Sequence, residues 1–189
     1  MPTTNQILMR QAKQMLAGNW GNAALGTLIY LVIMGIVSCS CVGELLLFGP
    51  FTLGYILFLI GLYNRQTANY EKLFNGFSNF VQTFLAGLLF FVAVSIGCFF
   101  LVIPGIIVAL GFGMTFFIMT DHPTMEGVTA LKTSWKIMRG HKWDLFCLNL
   151  RFVGWWIVCL LTLGVGFLWL YPYMFTANMN FYRNLSHKA

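Results

Sequence analysis

The sequence predicts an all-α polytopic membrane protein: six transmembrane helices arranged as three hairpins, each preceded by an interfacial amphipathic helix. Three observations predict it. Of 189 residues, 59% are hydrophobic and only 8% are charged, against about 25% charged in an ordinary globular chain. Such a chain cannot cover its own surface in water. The apolar residues also gather into runs that approach the roughly 20 residues a helix needs to cross a bilayer. Finally, ten of the eleven Lys and Arg fall outside those runs, in alternate connections. The chain reads as one integral membrane domain, 1–189.

The elements follow in order. Ile7, Leu8, Ala12, Met15 and Leu16 recur at helical steps and predict a weakly amphipathic helix before the first span. Arg10 and Lys13 precede no short apolar core with a cleavage site, so this is not read as a signal peptide. The first apolar run is 22–42, closed by a break at Gly43-Glu44, where Glu44 reads as a solvated turn residue. The second is 45–63, interrupted by Gly49-Pro50 and Gly54. A polar stretch, 64–79, leads to some forty nearly continuous apolar residues, 80–120, split at Pro104-Gly105. Two spans joined by a tight turn explain that run, with Pro104 in the first turn of the second.

Residues 121–143 are polar again. Within them Met125, Val128, Leu131, Trp135 and Met138 recur at three- and four-residue steps, while Lys132, Lys136 and Arg139 line another face. This pattern predicts a second helix lying on the headgroups. Asp121-His122-Pro123 precedes it, and Asp121 is read as a helix-start residue, favourable at the positive end of the helix, ahead of a proton site. The fifth span is 144–163, the turn Gly164-Val165-Gly166, and the sixth the short run 167–182. Helix breaks are expected at Pro50, Pro104 and Pro172.

Arg10, Lys13, Arg65, Lys72, Lys132, Lys136, Arg139, Lys142, Arg183 and Lys188 all flank the runs on one side. The positive-inside rule then puts both termini in the cytoplasm and the protein in the cell membrane. The net charge of +6 sits beside apolar spans. That pattern favours anionic headgroups as partners, and not nucleic acid.

A threefold internal repeat is also legible, as units 5–63, 69–120 and 125–182. Each hairpin is preceded by a glycine and then an aromatic: Gly18 with Trp20, Gly76 with Phe80, Gly140 with Trp143. Each carries a proline 30, 24 or 29 residues beyond that aromatic. The glycine would turn the chain from the membrane plane into the bilayer, and Trp20, Phe80 and Trp143 would anchor it at the interface. Coincidence is the competing explanation, because 19 Gly and 19 Phe make such pairs common.

Several short motifs stand in a fixed order: Gly49-Pro50-Phe51-Thr52-Leu53-Gly54, Leu73-Phe74-Asn75-Gly76-Phe77, Ile103-Pro104-Gly105-Ile106-Ile107, Asp121-His122-Pro123, and Ser134-Trp135-Lys136-Ile137-Met138-Arg139-Gly140-His141-Lys142. Together they resemble the uncharacterised bacterial multi-pass membrane family catalogued as domain of unknown function 975. The resemblance implies a small membrane protein, extends over nearly the whole chain, and brings no catalytic residues with it.

Arg151 is the most unusual residue. It lies eight positions beyond Trp143, about 12 Å into its span at 1.5 Å per residue. Two readings stand. Arg151 either snorkels or pairs structurally, with Asp144 or Asp121 as charge partner, or it binds a lipid phosphate or anionic substrate. Lys132, Lys136 and Arg139 are the other candidate headgroup ligands. The five cysteines are odd in number and mostly inside apolar runs, and His122 and His141 lack metal-pair spacing. No phosphate-binding glycine loop or hydrolase signature is present, so no catalytic residue, metal or cofactor is expected. Gly87, Gly97, Gly111 and Gly113 are candidates for close helix contact. The expected function is non-enzymatic handling of a lipid or amphiphilic peptide by binding, transport or resistance. The alternative is a membrane scaffold or assembly factor docking partners through its interfacial helices, with a protein partner or homo-oligomer left open.

Overall fold

A computed structural model describes residues 4–38, 41–64, 69–100, 102–162 and 164–186. Arg65 and Lys188 lie outside the described residues, as does the side chain of Glu44. Among the described residues there are nine α-helices and no strand: α1 (Thr4–Leu16), α2 (Trp20–Ser38), α3 (Cys41–Tyr63), α4 (Phe80–Phe100), α5 (Val102–Phe112), α6 (Thr115–Asp121), α7 (Gly127–Ile137), α8 (Lys142–Leu161) and α9 (Phe167–Ser186). Two short 3₁₀ turns, Tyr70–Leu73 and Asn75–Phe77, connect α3 to α4.

Five stretches are long and apolar enough to cross a membrane: Trp20–Ser38, Leu46–Tyr63, Phe80–Phe99, Ile103–Asp121 and Lys142–Leu161. Large apolar side chains stand in the open on α2, α4, α5 and α8, among them Ile36, Phe99, Ile103 and Leu161. An exposed apolar belt of this extent suits a bilayer and would be a liability in water. α9 is 20 residues long, but its second half carries Asn178, Asn180, Arg183 and Asn184, so it is not among the five.

Consecutive helices pair: α2 on α3, α4 on α5, α8 on α9. α3 is the centre, touching α1, α2, α4, α6, α9 and both 3₁₀ turns. Small residues make its contacts close. A Cβ on Gly54 would strike the Leu73 carbonyl, one on Gly76 the Pro50 carbonyl, and one on Gly49 the Thr83 carbonyl. Backbone therefore meets backbone along this seam, the usual device where lipid leaves no hydrophobic drive for association. Gly87, Gly97 and Gly111 also pack closely, against Gly49, Gly105 and the Trp135 ring.

Several expected breaks fall elsewhere. Gly43 and Glu44 lie inside the first turn of α3, and Pro50 sits within the continuous helix. Pro172 likewise sits inside α9. Proline is tolerated where neighbouring helices and side chains compensate the lost ladder bond. Pro104 does lie in the first turn of α5. An unexpected break occurs after Phe112, where α5 ends and α6 restarts at Thr115. Asp121 is not a helix-start residue: it ends α6, and α7 begins only at Gly127 with Glu126 as its N-cap.

Gly18 and Gly140 both adopt positive φ, +88° and +85°, in the corners that lead from α1 into α2 and from α7 into α8. Only glycine enters that region without strain. The middle corner differs. Gly76 has no such backbone, and two 3₁₀ turns replace the amphipathic helix there. The physical reason is its use: Gly76 is pressed against Pro50 of α3.

One end of the bundle gathers the polar elements. Asn5 of α1 donates to the Asp144 carbonyl (3.2 Å), Asn79 to the Pro123 carbonyl (2.6 Å), and the Gly127 amide to Gln82 Oε1 (3.0 Å). This end is the base. Arg183 of α9 also stands at this end, in a cavity lined by Gln11 and Gln14 of α1. α1 turns its apolar face inward, burying Leu8, Ala12 and Leu16 in the protein's own core, and leaves Ile7 at the surface.

Candidate functional site

α7 builds one wall of the site. Its first turn docks on α4 because Gly127 has no side chain: a Cβ there would strike the Gln82 carbonyl and Ala86. Its middle is sewn to the α5–α6 break. A helix break leaves backbone groups without ladder partners. Ser134, fully buried, supplies them: its hydroxyl donates to the Gly111 carbonyl (2.9 Å) and accepts from the Met114 amide (3.3 Å). Trp135 then lies over Gly111 and against Phe112, with ring centroids 5.2 Å apart. Lys142 Nζ sits 3.3 Å from the Trp135 ring centroid, a cation–π contact from the next helix.

The result is a groove of about 470 Å³ between α4, α5 and α7. Ala93, Val108, Phe112 and Trp135 form its apolar walls, and Lys132 and Arg139 stand at its rim. Lys132 is on α7, and Arg139, expected on the same helix face, stands instead in the turn just past the end of α7. The structure thus brings together two of the four headgroup candidates. Lys136 is exposed on α7 but does not line the groove, and Arg151 is exposed on α8 and is not among the lining residues.

The two carboxylates proposed as partners for Arg151 have neighbours of their own. Asp121 accepts a hydrogen bond from the Tyr182 hydroxyl at 2.8 Å, tying α6 to α9. Asp144 faces His141 Nδ1 at 3.4 Å. Of the expected anchors, Trp143 is the most exposed, 71%, and stacks on Phe146. Phe80 is partly exposed and stacks between Phe77 and Phe84. Trp20 packs against Tyr173.

A second apolar groove, about 350 Å³, opens between α2, α8 and α9. Trp20, Trp155, Trp169 and Tyr173 line it, and Lys13 of α1 stands at its edge. Both grooves combine an apolar wall with a cation. Among the described residues no His, Cys, Asp or Glu cluster is suited to a metal ion.

Sequence reasoning missed three features. Ser134 is the tie between α7 and the broken helix. A buried hydroxyl cluster is the second: Thr27 and Tyr55 lie 2.8 Å apart, with Tyr30 and Tyr171 packed on the Tyr55 ring. The third is a polar cavity of about 440 Å³ at the base. The signal for that cavity was the run of amides at helical spacing, Gln11 and Gln14 on one helix and Asn180 and Asn184 on another.

An all-helical architecture with five membrane-length apolar helices defines the class: a polytopic helical membrane protein. Within that class, residues 93–189, just over half of the chain, match the model of the family described as protein of unknown function DUF975, and the chain belongs to that family. The match covers the motifs at 103–107, 121–123 and 134–142 but not those at 49–54 and 73–77. No curated protein and no solved structure matches the chain.

Proposed function

We propose that this protein is a non-enzymatic membrane protein that binds and handles an amphiphile with an anionic headgroup, a lipid or a membrane-active peptide. The observation that carries the reading is the groove between α4, α5 and α7. Its walls suit an acyl chain, and Lys132 and Arg139 at its rim suit a phosphate. The Trp-lined groove with Lys13 at its edge repeats the same design on the other flank.

The reading includes a topology. α9 is the sixth crossing, its polar second half emerging at the base beside α1. The clustering of Lys and Arg in alternate connections of the sequence supports placing both termini in the cytoplasm. α1 then lies at the headgroup level, while α7 rises from that level along α4 to the α5–α6 break. Their outward faces carry Arg10, Lys13, Lys132 and Lys136, and Arg139 follows just past the end of α7. Those polar faces also favour a second reading, a scaffold that docks cytoplasmic partners, for which a stoichiometric partner on purification is the discriminating result.

The test compares lipid retention by wild-type protein and Lys132→Ala/Arg139→Ala. Each cation near an anionic surface contributes about 1 kcal/mol, so the double variant is expected to bind phosphatidylglycerol roughly 30-fold more weakly. Phosphatidylcholine retention is expected to be unchanged. Equal loss of both lipids, or of neither, contradicts the assignment of the groove.

A further inference from the structure

The polar cavity at the base is unlike either groove. α1 contributes Gln11 and Gln14, the following corner Asn19, and α9 contributes Asn180, Arg183 and Asn184. Five of the chain's sixteen Asn and Gln side chains therefore converge on one space. The two helices supply them by spacing alone: Gln11 and Gln14 are one turn apart, as are Asn180 and Asn184 with Arg183 between them. Tyr63, at the end of α3, closes one side.

One feature points to a ligand. Arg183 is held with its guanidinium carbon 4.4 Å from the Tyr63 ring centroid. Stacking on an aromatic face fixes the guanidinium plane and leaves its N–H edge for an oxyanion, which it can grip with two parallel bonds.

The chemistry of the lining sets the ligand class. No Asp or Glu lines the cavity, and Arg183 is its one charge among the described residues. Carboxamides both donate and accept, so they read a solute that carries both kinds of group. The space, about 440 Å³, is an order of magnitude more than the ~30 Å³ one water takes up, so it suits more than a lone ion.

We infer that this cavity is a binding site for a small anionic solute, with its carboxylate or phosphate on Arg183 and its neighbouring polar groups on the carboxamides of α1 and α9. The inference does not depend on the lipid reading, because the cavity shares no lining residue with the Lys132–Arg139 groove. The shared chemistry is an oxyanion, and two probes separate its sources. Inorganic phosphate stands for a phosphate ligand, and diglycine for a peptide carboxylate.

The test uses the full chain in detergent, with thermal unfolding followed against each probe at ionic strength matched with chloride. The expected result is a saturable rise in Tm with at least one probe. Half-saturation should move up about tenfold or more in Arg183→Gln, since a charge-assisted bidentate contact is lost. Arg183→Lys keeps the charge without the fork and should fall between. Lys132→Ala/Arg139→Ala should respond as wild type, so that failure of the groove assignment and failure of this one are separately visible. No saturable rise with either probe, or an undiminished one in Arg183→Gln, overturns the inference.

Discussion

α3 and α8 are similar in length and both are apolar enough to cross a membrane, with mean hydropathy 1.9 and 1.6 over their spanning windows. Yet 67% of the α3 window is buried inside the protein and only 22% of the α8 window. Hydropathy does not separate them because lipid is as apolar as a core. Small residues do. Gly49 and Gly54 on α3 each face a neighbouring backbone so closely that a Cβ has no room, whereas Gly154 on α8 has nothing within 4 Å. On α3 these glycines meet a neighbouring backbone, and on α8 Gly154 meets nothing.

The sharpest way to break that comparison is to add side chains on both helices. Gly54→Leu would drive a side chain into the Leu73 carbonyl, and rigid backbone cannot yield as a side chain can. A loss of more than about 3 kcal/mol is expected, seen as absence of folded protein on size exclusion. Gly154→Ala should leave Tm unchanged or slightly raised. If both variants fold equally well, the seam is not what holds α3 in place.

A smaller effect is expected at the α5–α6 break. Ser134→Ala removes the partner of both the Gly111 carbonyl and the Met114 amide. Leaving buried groups unsatisfied costs about 1–3 kcal/mol, measurable as a lower Tm and as faster hydrogen exchange at Met114. The weakest of the three lies at the base. Tyr182→Phe removes one hydrogen bond to Asp121, whose own side chain is exposed. A loss of about 0.5–1.5 kcal/mol is expected, with α6 and α9 otherwise unmoved. A larger loss would make the Asp121–Tyr182 tie a main strut and not a trim.

The same physics explains what was legible in the sequence. Apolar runs are a property of composition along the chain, so five of the six expected spans could be read directly. Gly18 and Gly140 were legible as corners because glycine permits the left-handed backbone they adopt. Pro50 and Pro172 misled, because inside a packed bundle the neighbours absorb what proline removes. Asp121 misled because its place at the end of α6 follows from where α7 starts, six residues later, and not from its own neighbours in sequence. In the site, Lys132 was readable on the basic face of a helix, whereas Arg139, expected on that face, falls in the turn after α7. The walls they rim were not readable, since Ala93 and Val108 are ordinary apolar residues until α4 and α5 bring them alongside. The amide cavity was hidden for the same reason, with Gln11 and Asn180 at opposite ends of the chain.

The central claim is that the groove between α4, α5 and α7 holds the chain of an anionic amphiphile. Photo-crosslinking with a phosphatidylglycerol that carries a diazirine in its acyl chain tests it most directly. The account predicts adducts concentrated on the peptides containing Ala93, Val108, Phe112 and Trp135, reduced by unlabelled phosphatidylglycerol and not by phosphatidylcholine. Labelling spread evenly over the exposed apolar surface, with Val153, Ile157 and Leu161 of α8 modified as readily as the groove, would contradict it.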